Sequence, residues 1–335
     1  MVDESHQAQD TAAEAGHSMG RSMGASFGGS FGGSMGSSMN MTQSMRKKMA
    51  LMGEHFGSWN KSAVIIRWVN RRRVVLTPKI IMEVRIIRKL AHENVAKFIG
   101  GCLDENHVGM MYEMCTKGPL PLMFEGEARA KMDWTIRMSW IKDIVSGMIY
   151  LHSSPVGTHS RLTSHCCYID SRFTLKITDY GIPTIFTQTL SEFWTSKRSP
   201  SHANSLLWTA PEVLRAAAEG LVGPAIYTKE SDVYSFGIIL QEMALRSKPY
   251  NMYTAMKSSE IVDEVRKGAS TSGVQFRPRF NDDGENVPVK IIELAQRCWA
   301  EEASQRPLFD KIRVAVRNVA KDMSVGSCFL QDCSV

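Results

Sequence analysis

The chain has 335 residues, of which 43% are hydrophobic and 22% are charged, and this is enough for one large two-lobed domain with residues left over. No run of about 18 apolar residues and no signal-peptide pattern is present, so no segment is expected to enter a membrane. The seven cysteines lack CxxC spacing and the net charge of +6 comes without interleaved aromatic residues, which argues against a zinc site, a disulfide framework and a nucleic-acid partner.

A tract rich in Ser, Gly and Met runs from Gly16 to Met52, inside a first segment of residues 1–55. It has almost no charged or β-branched residues, so it buries too little apolar area to offset its backbone entropy. The segment is therefore predicted to be disordered. Its glycines precede any good strand signal, which favours a flexible linker over a phosphate-binding loop.

A strand and a helix are predicted where order begins, near Phe56. Ala63–Ile66 is an apolar strand segment that follows a turn at Asn60-Lys61 and leads into Arg67. Thr77 before Pro78 is typical of a helix start. Apolar residues then recur at helical spacing, at Ile80, Ile81, Val84, Ile87 and Leu90. Glu83 lies on the inward side of this helix and is the natural partner of Arg67; the alternative is a solvated helix residue.

Further elements follow in the central part of the chain. Val108–Tyr112 is a strand candidate, and Glu113-Met114-Cys115 is interpreted as the connector between two lobes. A helix is predicted from Trp134 to His152, because its apolar residues share one face. Asp232 opens another, more apolar helix.

The segment His159–Gly181, with the sequence HSRLTSHCCYIDSRFTLKITDYG, resembles a protein-kinase catalytic loop followed by the magnesium-binding turn. In that pattern His159 opens the loop, Arg161 stands where an Asp accepts the substrate's proton, and Cys166 stands where an Asn holds a second magnesium. Asp179 keeps the metal-binding position. A cation cannot act as a general base, and a neutral thiol is a poor ligand for magnesium. The sequence therefore predicts the fold without its transfer chemistry.

The same resemblance assigns roles to residues outside the loop. Arg67 stands where a phosphate-pairing Lys is expected, and with Glu83, Glu113 and Asp179 it makes up a vestigial nucleotide site. Nucleotide and magnesium binding are expected to be weak or absent, because Asp179 is the one intact metal ligand. The structural positions are kept, at His159, Gly181, Glu212, Asp232 and Arg306. Glu212 and Arg306 are predicted to form a buried ion pair, and Asp232 to hold the backbone of the catalytic loop.

Several longer strings make the resemblance narrower: LTPKIIMEV, HENVAKFIG, LLWTAPEVLR, SDVYSFGIILQEM and CWAEEASQRP. Over about residues 59–322 they are similar to the kinase-homology domain of membrane receptor guanylyl cyclases. The resemblance implies an α+β, two-lobed kinase-like fold over residues 56–322. A β-rich lobe should run from Phe56 to Cys115 and a helical lobe from Thr116 to about Asp322, followed by a short tail over residues 323–335.

A catalytically impaired regulatory module is the function that this resemblance implies. It would modulate cyclic GMP signalling on the cytoplasmic side, by contact with a receptor guanylyl cyclase polypeptide or with a second copy. Neither heptads nor a cyclase domain follow the last kinase-like helix, so the chain is not expected to make cyclic GMP itself. One alternative is a fragment of a receptor guanylate cyclase. The other is a weakly active ATP-dependent protein kinase, for which Asp170 is the nearby carboxylate that could replace the missing base.

Overall fold

The computed structural model describes Lys47, Met49 and residues 55–69, 74–104, 107–186, 200–221, 223–268, 275–280 and 286–331. The tract predicted to be disordered therefore lies almost entirely outside the described residues. The described residues divide into two compact units. The first unit contains the described residues up to Leu90 together with Lys97–Thr116. The second unit contains Ala91–Ala96 together with the described residues from Lys117 onward.

The first unit is built on a four-stranded antiparallel sheet in the order β1-β2-β4-β3. Its elements are β1 (His55–Trp59), β2 (Ser62–Trp68), α1 (Pro78–Arg88), β3 (Phe98–Asp104) and β4 (His107–Glu113). The predicted turn at Asn60-Lys61 joins β1 to β2, with both residues at positive φ, as a two-residue hairpin requires. The predicted helix start is confirmed, because the Thr77 hydroxyl accepts a hydrogen bond from Ile80 N. The sequence reasoning missed strands β1 and β3.

The second unit is mostly helical and carries one small antiparallel sheet of β5, β6 and β7. Its elements are β5 (Gly118–Pro119), α2 (Gly126–Lys131), α3 (Trp134–Ser153), β6 (Cys167–Ile169), β7 (Leu175–Ile177), α4 (Pro183–Phe186), α5 (Pro200–Ser205), α6 (Pro211–Ala218), α7 (Lys229–Leu245), α8 (Ser258–Lys267), α9 (Val289–Cys298) and α10 (Phe309–Gln331). Helix α7 is the core of the unit, since it is buried from Ser231 to Leu245. A helix that is apolar all round is expected in such a central position.

The predicted fold class is confirmed, because a β-rich first unit precedes a helical second one. The change of unit falls between Thr116 and Lys117, one residue after the predicted junction. Helix α10 continues to Gln331, beyond the expected end of the helical lobe at Asp322. Within the described residues, no helix combines the length and the apolar character needed to cross a bilayer.

Candidate functional site

The catalytic-loop equivalent lies between α3 and β6, and Asp179 lies two residues after β7. Strands β6 and β7 pair antiparallel with Cys167 opposite Ile177, which brings the end of the loop beside the start of the turn. Thr178 donates from its backbone N and from its hydroxyl to the carbonyl of Cys166, at 2.8 and 3.2 Å. The register of the β6–β7 hairpin therefore places Cys166 close to Asp179.

The side chains of Arg161 and Cys166, at the two altered positions, both contact Asp179, which is kept. The Cys166 thiol donates to Oδ2 of Asp179 at 3.6 Å. The Arg161 guanidinium donates from Nη2 to the backbone carbonyl of Asp179 at 2.7 Å. Asp179 itself is buried and has a φ of 62°, which is a left-handed conformation that is unusual for a residue other than glycine. The Arg161 side chain thus stabilises the turn by a hydrogen bond to the backbone carbonyl of Asp179.

His159 connects the loop to the same turn. Its Nε2–H donates to the carbonyl of Thr178 at 2.8 Å, and its Nδ1 accepts from the backbone N of Arg161 at 3.3 Å. Burial lowers the pKa of this imidazole, so the neutral ring is favoured. A neutral ring that donates through one nitrogen and accepts through the other satisfies both contacts.

This arrangement does not fit the two-magnesium site of a protein kinase. Asp179 supplies a hard carboxylate oxygen, whereas Cys166 supplies a thiol that is itself donating a hydrogen bond to that carboxylate. A guanidinium group has only donors and no acceptor, so Arg161 cannot take a proton from a substrate hydroxyl. Within the described residues, no group of three or more His, Cys, Asp and Glu side chains could hold a metal ion.

Asp232 anchors the loop as expected. Its carboxylate accepts from the backbone N–H groups of His159 and Ser160 at 2.7 and 2.8 Å, and it contacts Nε2 of His152 at 2.9 Å. Ser160 has a φ of 71°, so the carboxylate holds a backbone conformation that L residues rarely adopt. These hydrogen bonds explain how the polar side chain of Asp232 can be buried within the largely apolar helix α7.

The predicted ion pair between Glu212 and Arg306 is present and bidentate. The two guanidinium nitrogens donate to the two carboxylate oxygens at 2.7 and 2.8 Å. The Arg306 side chain is fully buried, whereas the Glu212 side chain is 29% exposed, so the burial expected for both partners holds for the arginine only. Arg306 also donates to the carbonyls of Ala300, Glu230 and Glu301, which satisfies its remaining three N–H groups.

Glu242 is a buried acid that sequence reasoning missed. Its carboxylate accepts from the Ser164 hydroxyl at 2.9 Å and from the Trp208 indole N–H at 2.7 Å. Burial raises the pKa of this carboxyl to about 8, and the two hydrogen bonds oppose that rise. An acid inside the apolar sequence of α7 was the available signal, because such a residue needs partners.

Other predicted site residues lie apart from this loop in the chain. Arg67 lies on β2 and Glu83 on α1, both half-buried, and their pairing stays a prediction. The Glu113 carboxylate, at the end of β4, accepts from the backbone N of Lys97 at 3.1 Å. The Oδ1 of Asp170 accepts from the backbone N–H groups of Arg172 and Thr174, so this oxygen takes part in closing the β6–β7 turn.

Comparison of the sequence with known proteins identifies its family. A family model described as "Protein tyrosine and serine/threonine kinase" matches residues 48–316. "Atrial natriuretic peptide receptor 2" of Homo sapiens is 36% identical over 269 residues, which are 79% of this chain and 24% of that protein. "Receptor-type guanylate cyclase gcy-28" of Caenorhabditis elegans is 33% identical over 75% of this chain and 20% of its own length. "Resact receptor" of Arbacia punctulata is 32% identical, over 80% and 26%. The chain thus spans about a quarter of the length of these relatives, and the narrower resemblance is confirmed.

Proposed function

The chain belongs to the protein tyrosine and serine/threonine kinase family, and we propose that it is a catalytically impaired member that regulates cyclic GMP signalling through protein–protein contact. The observation that carries this proposal is Arg161. It occupies the position of the catalytic base, and its guanidinium is bonded to the backbone of Asp179. Arginine at position 161 removes the general base, and its hydrogen bond also stabilises the turn at Asp179.

We expect the loss of reaction rate to be larger than the neighbouring residues of the site can compensate. A positioned general base contributes typically about 10²–10⁴-fold to a reaction rate. Arg161 also adds a positive charge beside the position where Asp179 would hold magnesium, and Cys166 adds no hard ligand. Asp170 is committed to its own turn. These changes act together against phosphoryl transfer.

A partner is proposed from the relatives. The names of these relatives describe receptors, one of them a receptor-type guanylate cyclase. We take the partner to be a receptor guanylyl cyclase polypeptide, or a second copy of this chain, on the cytoplasmic side of the membrane. The buried contacts of Asp232, Glu242 and the Glu212–Arg306 pair stabilise the fold that such a partner would bind, and they do not require catalysis.

The catalytic part of the proposal is tested with labelled ATP. The full chain and its Asp179→Ala variant are incubated with ATP, magnesium or manganese, and a general protein substrate, and incorporated phosphate is counted. Both should give the same background, because the lost base already blocks transfer. Incorporation by the unmodified chain well above that of Asp179→Ala would establish a weakly active kinase instead.

The regulatory part needs a separate experiment. The chain is co-expressed with full-length human atrial natriuretic peptide receptor 2, and both co-precipitation and cyclic GMP are measured. Association and a changed cyclic GMP level are expected, and the Asp179→Ala variant should behave like the unmodified chain because the role is not catalytic. Absence of both effects would contradict the regulatory role and favour the alternative, a portion of a receptor guanylate cyclase.

A further inference from the structure

The outward side of helix α1 carries four cations and one large apolar residue. This surface, which we call the basic face, consists of Lys79, Met82, Arg85, Arg88 and Lys89, and all five side chains are exposed. Met82 is 57% exposed, and Val75, just before the helix, is 69% exposed. Basic residues clustered around an exposed apolar residue on a helix are a pattern found in helices that bind membrane surfaces or acidic partners.

The position of the basic face follows from the helical period. Ile80 and Ile87 are buried and fix the inner side of α1. Met82, Arg85 and Lys89 follow one another at spacings of three and four residues, so they form one outer stripe. Lys79 and Arg88 are nine positions apart, which places them about 180° apart around the helix, one on each flank of the stripe.

The charges of the basic face are not neutralised by neighbours. Within the part of the chain that the structure describes, none of its four cations forms an ion pair. The acid of the helix, Glu83, is half-buried and lies off the outer stripe. The first turn of α1 contains no acidic residue, and its last turn contains Arg85 and Arg88. The face therefore presents one sign of charge.

The distribution of positive charge on the basic face favours one kind of binding partner over the others. A second copy of the chain would set one basic face against another in an isologous contact, which like charges disfavour. An acidic helix could pair with the central stripe but not with cations on both flanks. A flat anionic surface can reach all four, because long Lys and Arg side chains extend from the flanks while their stems stay along the helix.

We propose that the basic face of α1 binds peripherally to the surface of an anionic phospholipid bilayer. Lys79, Arg85, Arg88 and Lys89 contact the headgroups, and Met82 and Val75 pack at headgroup level without entering the hydrocarbon core. Each Lys or Arg held near such a surface strengthens binding by about fivefold. Four cations give weak binding, which would supplement the proposed contact with a receptor guanylyl cyclase polypeptide. None of these residues belongs to the catalytic loop, so the proposal is independent of phosphoryl transfer.

The test is sedimentation of the full chain with vesicles. Phosphatidylcholine vesicles with about one third phosphatidylserine are compared with pure phosphatidylcholine vesicles, at low and at high salt. The test variant changes Lys79, Arg85, Arg88 and Lys89 to Gln. The matched control changes four other exposed cations to Gln, at Lys131, Arg172, Lys311 and Arg317. Both variants lose the same charge, and thermal unfolding checks that both fold.

The unmodified chain and the control variant should bind the anionic vesicles at low salt and release them at high salt, whereas the test variant should lose at least about tenfold in partitioning. Met82→Gln should lose about twofold to threefold, since one apolar contact is removed. Equal losses in the two charge variants would overturn the proposal in favour of net charge alone. Binding to polyglutamate but not to vesicles, abolished by the test variant, would overturn it in favour of an acidic polypeptide partner.

Discussion

Two regions of the second unit can be compared by their charged residues. In one, the buried charges have hydrogen-bonding partners, and in the other, residues differ from the protein-kinase pattern. The supporting region contains Asp232, Glu242 and the Glu212–Arg306 pair, and each buried charge or acid there has hydrogen-bonding partners. The reaction region contains Asp179 together with Arg161 and Cys166, which stand where the protein-kinase pattern has a base and a second metal ligand. An unpaired buried charge costs several kcal/mol of stability, whereas a missing base costs only reaction rate. We therefore expect substitutions to cost more stability in the first region than in the second.

The largest effect is expected for Glu212→Ala in the supporting region. The substitution leaves the fully buried Arg306 side chain without its carboxylate. Breaking such a pair from one side costs about 3–5 kcal/mol of unfolding free energy. Urea denaturation measures the loss, and Glu219→Ala, an exposed acid just after the same helix, is the control. Equal, small losses in the two variants would show that the pair is not needed for the fold.

A somewhat smaller loss is expected for Asp232→Asn. The amide keeps one acceptor oxygen but cannot serve both backbone N–H groups, those of His159 and Ser160. Losing a hydrogen bond to a charged acceptor costs about 1.5–3 kcal/mol. The same denaturation experiment gives the value, and faster hydrogen exchange at these two amides locates the change. Unchanged exchange there would contradict the assigned role.

Glu242 gives the supporting region a pH dependence. Its pKa is about 8 in the folded chain because of burial, against about 4.3 in an unfolded one. Between these values the folded state keeps a proton that the unfolded state releases, so stability falls as pH rises, by at most about 1.4 kcal/mol per pH unit. Above about pH 8 this contribution levels off. Glu242→Gln has no such group, so the difference between the two stability curves should follow this slope; parallel curves would refute the assignment.

In the reaction region, Arg161→Ala should have a modest effect. It removes one hydrogen bond to the carbonyl of Asp179 from a half-buried side chain, which is worth about 1–2 kcal/mol. Arg172→Ala, which removes an exposed arginine nearby in the chain, is the control and should change stability by less than about 0.5 kcal/mol. A loss as large as that of Glu212→Ala would erase the contrast between the two regions.

The smallest effect concerns nucleotide binding. If the dissociation constant of magnesium-ATP is above about 1 mM, then about 1 mM ATP stabilises the chain by less than about 0.4 kcal/mol. Thermal unfolding with and without magnesium measures this. Cys166→Asn supplies a hard oxygen next to Asp179 and should increase the shift. A magnesium-dependent shift of the unmodified chain at much lower ATP would show that the site still binds.

Local chemistry explains which elements could be predicted from the sequence. The helix start at Thr77-Pro78 and the turn at Asn60-Lys61 depend on neighbouring residues, and both are where the sequence placed them. Strand β3, with Gly100 and Gly101 at its centre, carries a weak strand signal and was missed. It exists because β4 supplies its hydrogen-bonding partner, which no local pattern contains.

For the site, the sequence by itself determined that position 161 cannot supply a general base, since an arginine side chain cannot take up a proton in any fold. It also determined the Glu212–Arg306 pair, because the kinase pattern fixes both positions. Only the tertiary structure decided that Arg161 bonds to the Asp179 backbone and that Glu242 joins Ser164 to Trp208. The Glu242 contacts join residues 78 and 34 positions apart, so packing of separate elements creates them and burial then sets the pKa.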